Sequence, residues 1–314
     1  MYRKRRAGSG KKGKLLAVLA VIVIAAVYYY VAIPAVNIHS SGFWMFLIAL
    51  VVLGLLFYGG RKGIHSKEEA KSSKILKLGI GLVVVLVLVY FAGSILSSPI
   101  VNAKKYRNLL GSLLSSPIVN AKKYQKLMKV ETGEFTKDIE ELSFDQIPLL
   151  DRDSATLLGN RKMGSMVDMV SQFEVSDLYS QINYQGRPVR VTPLVYASPI
   201  KWLTNMSDGI PAYITIDMAT QNTELVKLDQ GIKYSEAEYF NRNIYRHLRF
   251  KYPTYIFDQL SFEIDEEGTP YWVCPVKKFN IGLFGGQTIG RVVLCNAVTG
   301  ECKDYKIKDC PTWV

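Results

Sequence analysis

Histidine is scarce in this chain: three residues in 314 leave little room for imidazole chemistry. His39 and His65 fall in loops beside apolar runs, so a histidine metal cluster or catalytic dyad is set aside. His247, between Arg246 and Leu248, reads as a polar-face residue rather than a base. The signatures G-x-S-x-G, H-E-x-x-H and the phosphate-binding P-loop are missing as well. These absences exclude the commonest hydrolase and nucleotidase designs, and no catalytic residue, cofactor or metal ligand is assigned.

Charge is missing from three long stretches. Residues 15–36 carry no charged side chain, residues 43–58 are as apolar, and residues 75–96 contain LVVVLVLVY with Lys77 near the start. At about 1.5 Å per residue, a helix of some 20 residues covers the roughly 30 Å hydrocarbon core of a bilayer. Helices are required there, because lipid offers no partner to an open backbone. The expectation is three transmembrane helices at 15–36, 43–58 and 75–96, stopped by Pro99.

The formal net charge of +12 ordinarily suggests a nucleic-acid partner. Its distribution removes that reading. Residues 1–14 hold seven basic side chains and no acid, residues 61–77 hold six basic and two acidic, and residues 99–130 add seven basic. Residues 131–314 retain 19 basic against 25 acidic groups. The positive charge thus belongs to the membrane flanks, with lipid as its partner and no nucleic acid implied. Since residues 1–14 form a basic tail and the loop 37–42 carries no Lys or Arg, the positive-inside rule places the N-terminus in the cytoplasm and everything after the third helix outside. Tyr28, Tyr29, Tyr30, Phe43, Trp44, Tyr90 and Phe91 form aromatic belts near that outer face. Lys104, Lys105, Arg107, Lys122 and Lys123 run against the rule.

Those five belong to a repeat or lie beside it. SSPIVNAKKY occurs at Ser97–Tyr106 and again at Ser115–Tyr124, a segmental duplication within a basic juxtamembrane linker at 99–130. It reads as a lengthened linker, with a collar on anionic lipid or wall polymer as the functional alternative.

A diverged repeat organises the rest. GRPVRVTPL at Gly186–Leu194 matches GTPYWVCPV at Gly268–Val276, and each follows a strand-like piece, 180–184 and 261–265. Ala212–Leu228 parallels Arg291–Ile307, each two strands around a polar turn, with Asp217 and Thr220 corresponding to Asn296 and Thr299. Helices precede both units. Asp153 and Ser154 open one running through Gln172, and Ser235–Glu238 forms a capping box ahead of an apolar face of Phe240, Ile244 and Leu248. The fold class is α+β: three N-terminal membrane helices, then two helix-plus-antiparallel-hairpin units at 131–229 and 230–314.

The strand, D/N-x-x-T-G/Q, strand pattern resembles PepSY-type domains, small helix-on-sheet modules of secreted protease propeptides and membrane-anchored bacterial proteins. FNRNIYRHLRFKYPTYIF, GLFGG, NAVTGE and the closing PTWV are similar to a family of multi-pass membrane proteins of Gram-positive bacteria. The resemblance implies location and architecture but no activity. Members are generally longer, so the abrupt end at Val314 reads as a truncated second unit.

Weaker signals have ordinary explanations. Gly282–Gly290 is glycine-rich but lacks the Lys and helix of a phosphate cradle, and reads as a flexible loop between strands. Asp265, Glu266 and Glu267 do not alternate as calcium ligands do, and read as a solvated turn. Arg242, Arg246, Arg249 and Lys251 interleave with aromatics, a pattern that could grip an anionic wall polymer, although a basic exposed helix face is the simpler account. Cys274, Cys295, Cys302 and Cys310 all lie in the second unit. Cys295 and Cys302 flank the last hairpin turn, where a cross-strand disulfide fits, with Cys274 and Cys310 left over; four reduced thiols is the alternative. Their spacing is not that of a zinc knuckle. Thr192 stands where the second unit has Cys274.

The sequence therefore points to a membrane-anchored extracytoplasmic interaction or regulatory module of the bacterial envelope, non-catalytic, with a protein partner. The alternatives are an accessory subunit of a transport or secretion complex and an envelope hydrolase using Asp217 or Glu263.

Overall fold

The computed structural model describes residues 9–62, 69–98, 101–102, 132–134, 137, 143 and 147–314. The first eight residues and most of the linker, including the second copy of the decapeptide, lie outside the described residues. The class is α+β, with six α-helices and nine antiparallel strands among the described residues. The chain divides into two compact units, the first Met1–Gly111 with Tyr252–Ile256 and Lys278–Thr288, the second comprising Ser112–Lys251, Phe257–Lys277 and Ile289–Val314.

In the first unit, α1 spans Ser9–Ala32, α2 Ser41–Lys62 and α3 Glu69–Leu96. Leu76–Leu96 is long and apolar enough to cross a membrane, with its side chains almost all outside any protein core. The apolar described stretches of the other two are shorter, Val18–Ala32 and Ser41–Phe57. Glycine decides the α2–α3 contact, since a Cβ at Gly79 would collide with the Leu55 side chain, whereas Gly81 faces open space. Aromatic rings decide the α1–α2 contact: Tyr28 stacks on Phe46 at 5.4 Å, and Tyr29 meets the same ring edge-on.

The second unit holds two sheets. In the first, β1 (Phe173–Val175) and β2 (Ser180–Tyr184) pair with opposite ends of β3 (Arg187–Tyr196), followed by β4 (Ile210–Asp217) and β5 (Thr223–Ile232). In the second, β6 (Ser261–Ile264), β7 (Pro270–Ile281), β8 (Gly285–Asn296) and β9 (Cys302–Lys306) follow in order. β-Branched and aromatic residues fill the strands, and Val191, Ile210, Ile214, Ile216, Phe262, Trp272 and Val293 form a core with almost no exposure. The sheets meet through Tyr213, which packs edge-on against Phe262 and donates its hydroxyl to the Gly268 carbonyl at 2.8 Å. The ends of β7 and β8 beyond Lys277 and before Ile289 belong to the first unit.

Two helices differ from expectation. α4 spans Arg152–Gly164 and stops there instead of reaching Gln172; Asp151 caps it by accepting from the Ser154 N–H at 2.7 Å. The Ser235–Glu238 capping box does not form. Ser235 accepts from Ala237, only a 3-10 turn at Phe240–Arg242 follows, and the helix proper, α6, is Ile244–Lys251. Tertiary partners account for this. Glu238 is buried and accepts from Tyr196 Oη at 2.6 Å and Trp202 Nε1 at 2.8 Å, which removes its carboxylate from local capping. Trp202 sits on α5 (Pro199–Asn205), a short helix capped by Ser198.

Trp272 is the largest side chain in this core and donates its indole N–H to the Tyr234 carbonyl at 2.8 Å. Trp272→Ala should cost about 3–5 kcal/mol, read as a shift in the unfolding midpoint of the detergent-solubilised chain followed by near-UV circular dichroism.

Candidate functional site

The β8–β9 turn is built from its own sequence. Asn296 Oδ1 accepts from the N–H groups of Val298 and Thr299, both at 2.9 Å, and Gly300 adopts φ +73°. Glycine is needed there twice over: that conformation is left-handed, and a Cβ would strike the ring of Tyr234. The Asn296 N–H donates to Glu301 O at 2.8 Å. Cys295 and Cys302, the next pair along the ladder, are therefore a non-hydrogen-bonded pair, the kind in which facing side chains come closest. Their Sγ atoms lie 2.6 Å apart.

α6 supplies two further groups. His247 Nε2 lies 2.7 Å from the Gly300 carbonyl oxygen, and Lys251 Nζ donates to the same oxygen at 2.8 Å. A carbonyl only accepts, so Nε2 carries a proton. Tyr234 packs on the imidazole with ring centroids 4.4 Å apart. Cys295 is buried, whereas Cys302 is partly exposed.

The electrostatics split the thiols. The hydrogen bond with Cys295, then the imidazole of His247 and the ammonium of Lys251, hold Cys302 well below the ordinary thiol range despite its desolvation. Cys295 moves the opposite way, through the hydrogen bond with Cys302 and its own burial. Burial also pushes Cys274 up, with repulsion from Cys302 adding to it.

An imidazole nitrogen and two sulfurs lie within 4.8 Å of one another, a donor set that suits a soft cation by type. The protonated Nε2 and the adjacent ammonium give this pocket the opposite preference. It favours negative charge on the nearby Cys302.

The structure sets Cys295 opposite Cys302 across β8 and β9, which is the register the hairpin reading assumes for a disulfide, not the disulfide itself. It also brings in His247, which sequence reasoning assigned to a polar face. The four basic residues read as a polymer grip do not form one uniform strip. Lys251 turns to Gly300, Arg242 to the Met206 carbonyl, and Arg246 and Arg249 are half-buried. Asp217 is a turn cap that accepts from Ala219 and Thr220; burial raises its pKa, but these bonds together with Arg187 outweigh that and lower it. Glu263, on β6 in the other sheet, is raised by burial and accepts from Ser261 at 2.8 Å. Asp265 accepts from Glu267 and Thr269 within its turn.

A second cluster lies in the first unit. Gly282–Phe284 turn the tip between β7 and β8, and this tip seats on two helix ends. His39 Nδ1 meets the Leu283 carbonyl at 2.7 Å, and its ring stacks on Phe279. Leu283 fills the place a side chain at Gly93 would need, and Ser97 Oγ accepts from the Phe284 N–H at 3.0 Å. Val36 and Asn37 donate to the carbonyls of Pro253 and Thr254. Comparison with protein families, with curated proteins and with solved structures finds no match for the chain.

The thiol asymmetry has a direct readout. Between pH 8.5 and 6.5, alkylation of Cys310, whose pKa is raised by burial and by Glu263, should fall about a hundredfold as its thiolate is lost. Cys302 should slow far less, so its share of labelling rises as pH falls. Peptide mass spectrometry of the iodoacetamide-treated full chain checks this.

Proposed function

We propose that this chain is a membrane-anchored regulatory or interaction module of the bacterial envelope, with three helices in the bilayer and its second unit outside the cytoplasm. One observation carries the reading. The loop after α1 and the C-terminal end of α3 contact the same hairpin tip, through His39 on one side and Gly93 and Ser97 on the other. Helix ends meeting one tip support α1 and α3 running in the same direction with α2 returning. In a bilayer that is an odd number of crossings. With the basic tail at the start and basic residues 61–77 between α2 and α3, the positive-inside rule then favours an outer location for the rest.

A binding role is supported by the surface around α5. Ile200, Leu203 and Phe240 are large, apolar and well exposed, and Trp202 packs against Tyr239 and Phe240. Exposed apolar groups gathered in this way suit a protein partner. The PepSY-like reading of the two sheets belongs to the same proposal, supported by turns at Asp217 and Asn296 that use the same side-chain-to-backbone hydrogen bonds.

Location is tested on intact cells treated with a reductant and then with a membrane-impermeant maleimide. Cys310, partly exposed, should label before lysis. Labelling that occurs only after lysis would sink the outer location. Replacing Ile200, Leu203 and Phe240 by Asp should remove any partner recovered with the detergent-solubilised chain, while leaving its circular dichroism unchanged.

A further inference from the structure

The first sheet carries the same kind of turn without thiols. There Asp217 caps the loop, Gln221 takes the left-handed conformation at φ +62°, and the cross-strand pair is Ile216 with Thr223. Forming this hairpin therefore does not require cysteine. In the second sheet the corresponding pair is Cys295 with Cys302, and α6 directs an imidazole N–H and an ammonium at the carbonyl beside them. From this geometry we propose that Cys295 and Cys302 form a redox-active dithiol that undergoes thiol–disulfide exchange with a disulfide presented by a partner protein or a small thiol compound. Cys302 is the attacking sulfur and Cys295 the resolving one.

The roles follow from exposure and contacts. Cys302 is partly exposed, so an incoming disulfide can reach it, and His247 and Lys251 converge on the Gly300 carbonyl, two residues before it in the chain. Cys295 is buried and 2.6 Å from Cys302, so it is shielded from the first encounter and in place for the second. In the first step the Cys302 thiolate attacks one sulfur of R–S–S–R′. The Cys302–S–R bond forms as the old S–S bond breaks, and R′S⁻ leaves and takes a proton from solvent. In the second step Cys295 gives up its proton and attacks the Cys302 sulfur. The Cys295–Cys302 bond forms, and RS⁻ leaves and is protonated. Two electrons pass from the protein to the partner disulfide: the dithiol is oxidised to a disulfide and the partner is reduced to two thiols. Non-hydrogen-bonded strand pairs have Cα atoms about 4.5 Å apart, inside the roughly 4.4–6.8 Å range of disulfides, so closure needs no strand movement. The exchange is stoichiometric and does not depend on which side of a membrane the unit occupies.

The test uses the full-length chain in detergent, reduced and freed of reductant, with Cys310→Ser as the reference to remove the other accessible thiol. The probe is the aromatic disulfide 5,5′-dithiobis(2-nitrobenzoate). The reference should release two equivalents of coloured thiolate rapidly and end with a Cys295–Cys302 linkage by peptide mass spectrometry. Adding Cys295→Ser should give one equivalent and leave the aromatic thiol attached to Cys302. Adding Cys302→Ser should abolish the fast phase. His247→Gln should slow the reaction about tenfold at pH 6 and much less at pH 9, where thiolate needs no help. A Cys302→Ser chain that reacts as fast as the reference overturns the proposal. So does a persistent adduct on the reference chain. The unsubstituted chain tests the same pairing without any variant having to fold: after the reaction it must carry the 295–302 linkage, and a linkage elsewhere refutes the pairing.

Discussion

One carbonyl oxygen organises the second unit's chemistry. Gly300 is left-handed at φ +73°, and two donors from α6 converge on its carbonyl. That convergence fixes the protonated nitrogen of His247, holds the Lys251 ammonium close to the turn, and ties a helix to a hairpin some fifty residues away in sequence. A buried carbonyl with two strong donors is well satisfied, and charge-assisted bonds of this kind exceed neutral ones in strength. The positive field beside the thiols is thus a by-product of a structural need. Meeting the backbone acceptor at the turn places a cation where a thiolate gains from it.

Local chemistry was readable in the sequence, and distant chemistry was not. β2 runs from Ser180 to Tyr184, where the strand pattern put it, and Asp217 and Asn296 cap their turns because a short side-chain oxygen two or three residues ahead of free N–H groups does so in any context. Pairing Cys295 with Cys302 needed only the hairpin register. Ser235–Glu238 failed as a capping box because Tyr196 and Trp202, both distant in sequence, offer Glu238 better donors than the backbone does. His247 was underrated for a related reason. Ligand-spacing rules describe residues on one loop, and here the imidazole comes from a helix and the sulfurs from two strands. The glycine-rich segment Gly282–Gly290 reads as a loop between strands, yet β8 already begins at Gly285, and nothing in its composition reveals Gly93 as the seat of its tip.

The helices illustrate a further limit of composition. Length and apolarity single out Leu76–Leu96, yet the contacts that order the helical unit come from small and aromatic residues: Gly79 under Leu55, Phe46 between Tyr28 and Tyr29, Gly93 under Leu283. Among apolar surroundings, hydrophobic burial distinguishes poorly between one helix face and another, and close approach at glycine decides the contact.

The seat at Gly93 also sets an order of events during synthesis. The three helices are translated first, but the residues that fill the notch, Lys278–Thr288, emerge near the end of the chain. At ordinary elongation rates of roughly 5–20 residues per second, the interval is on the order of ten to forty seconds. The carbonyls of Pro253 and Thr254, which accept from the Val36 N–H and the Asn37 side-chain amide, and the Phe284 N–H that donates to Ser97 Oγ, all come from these later segments. Formation of the helices and completion of the helical unit are separate steps, and the second waits for the β7–β8 tip to be made.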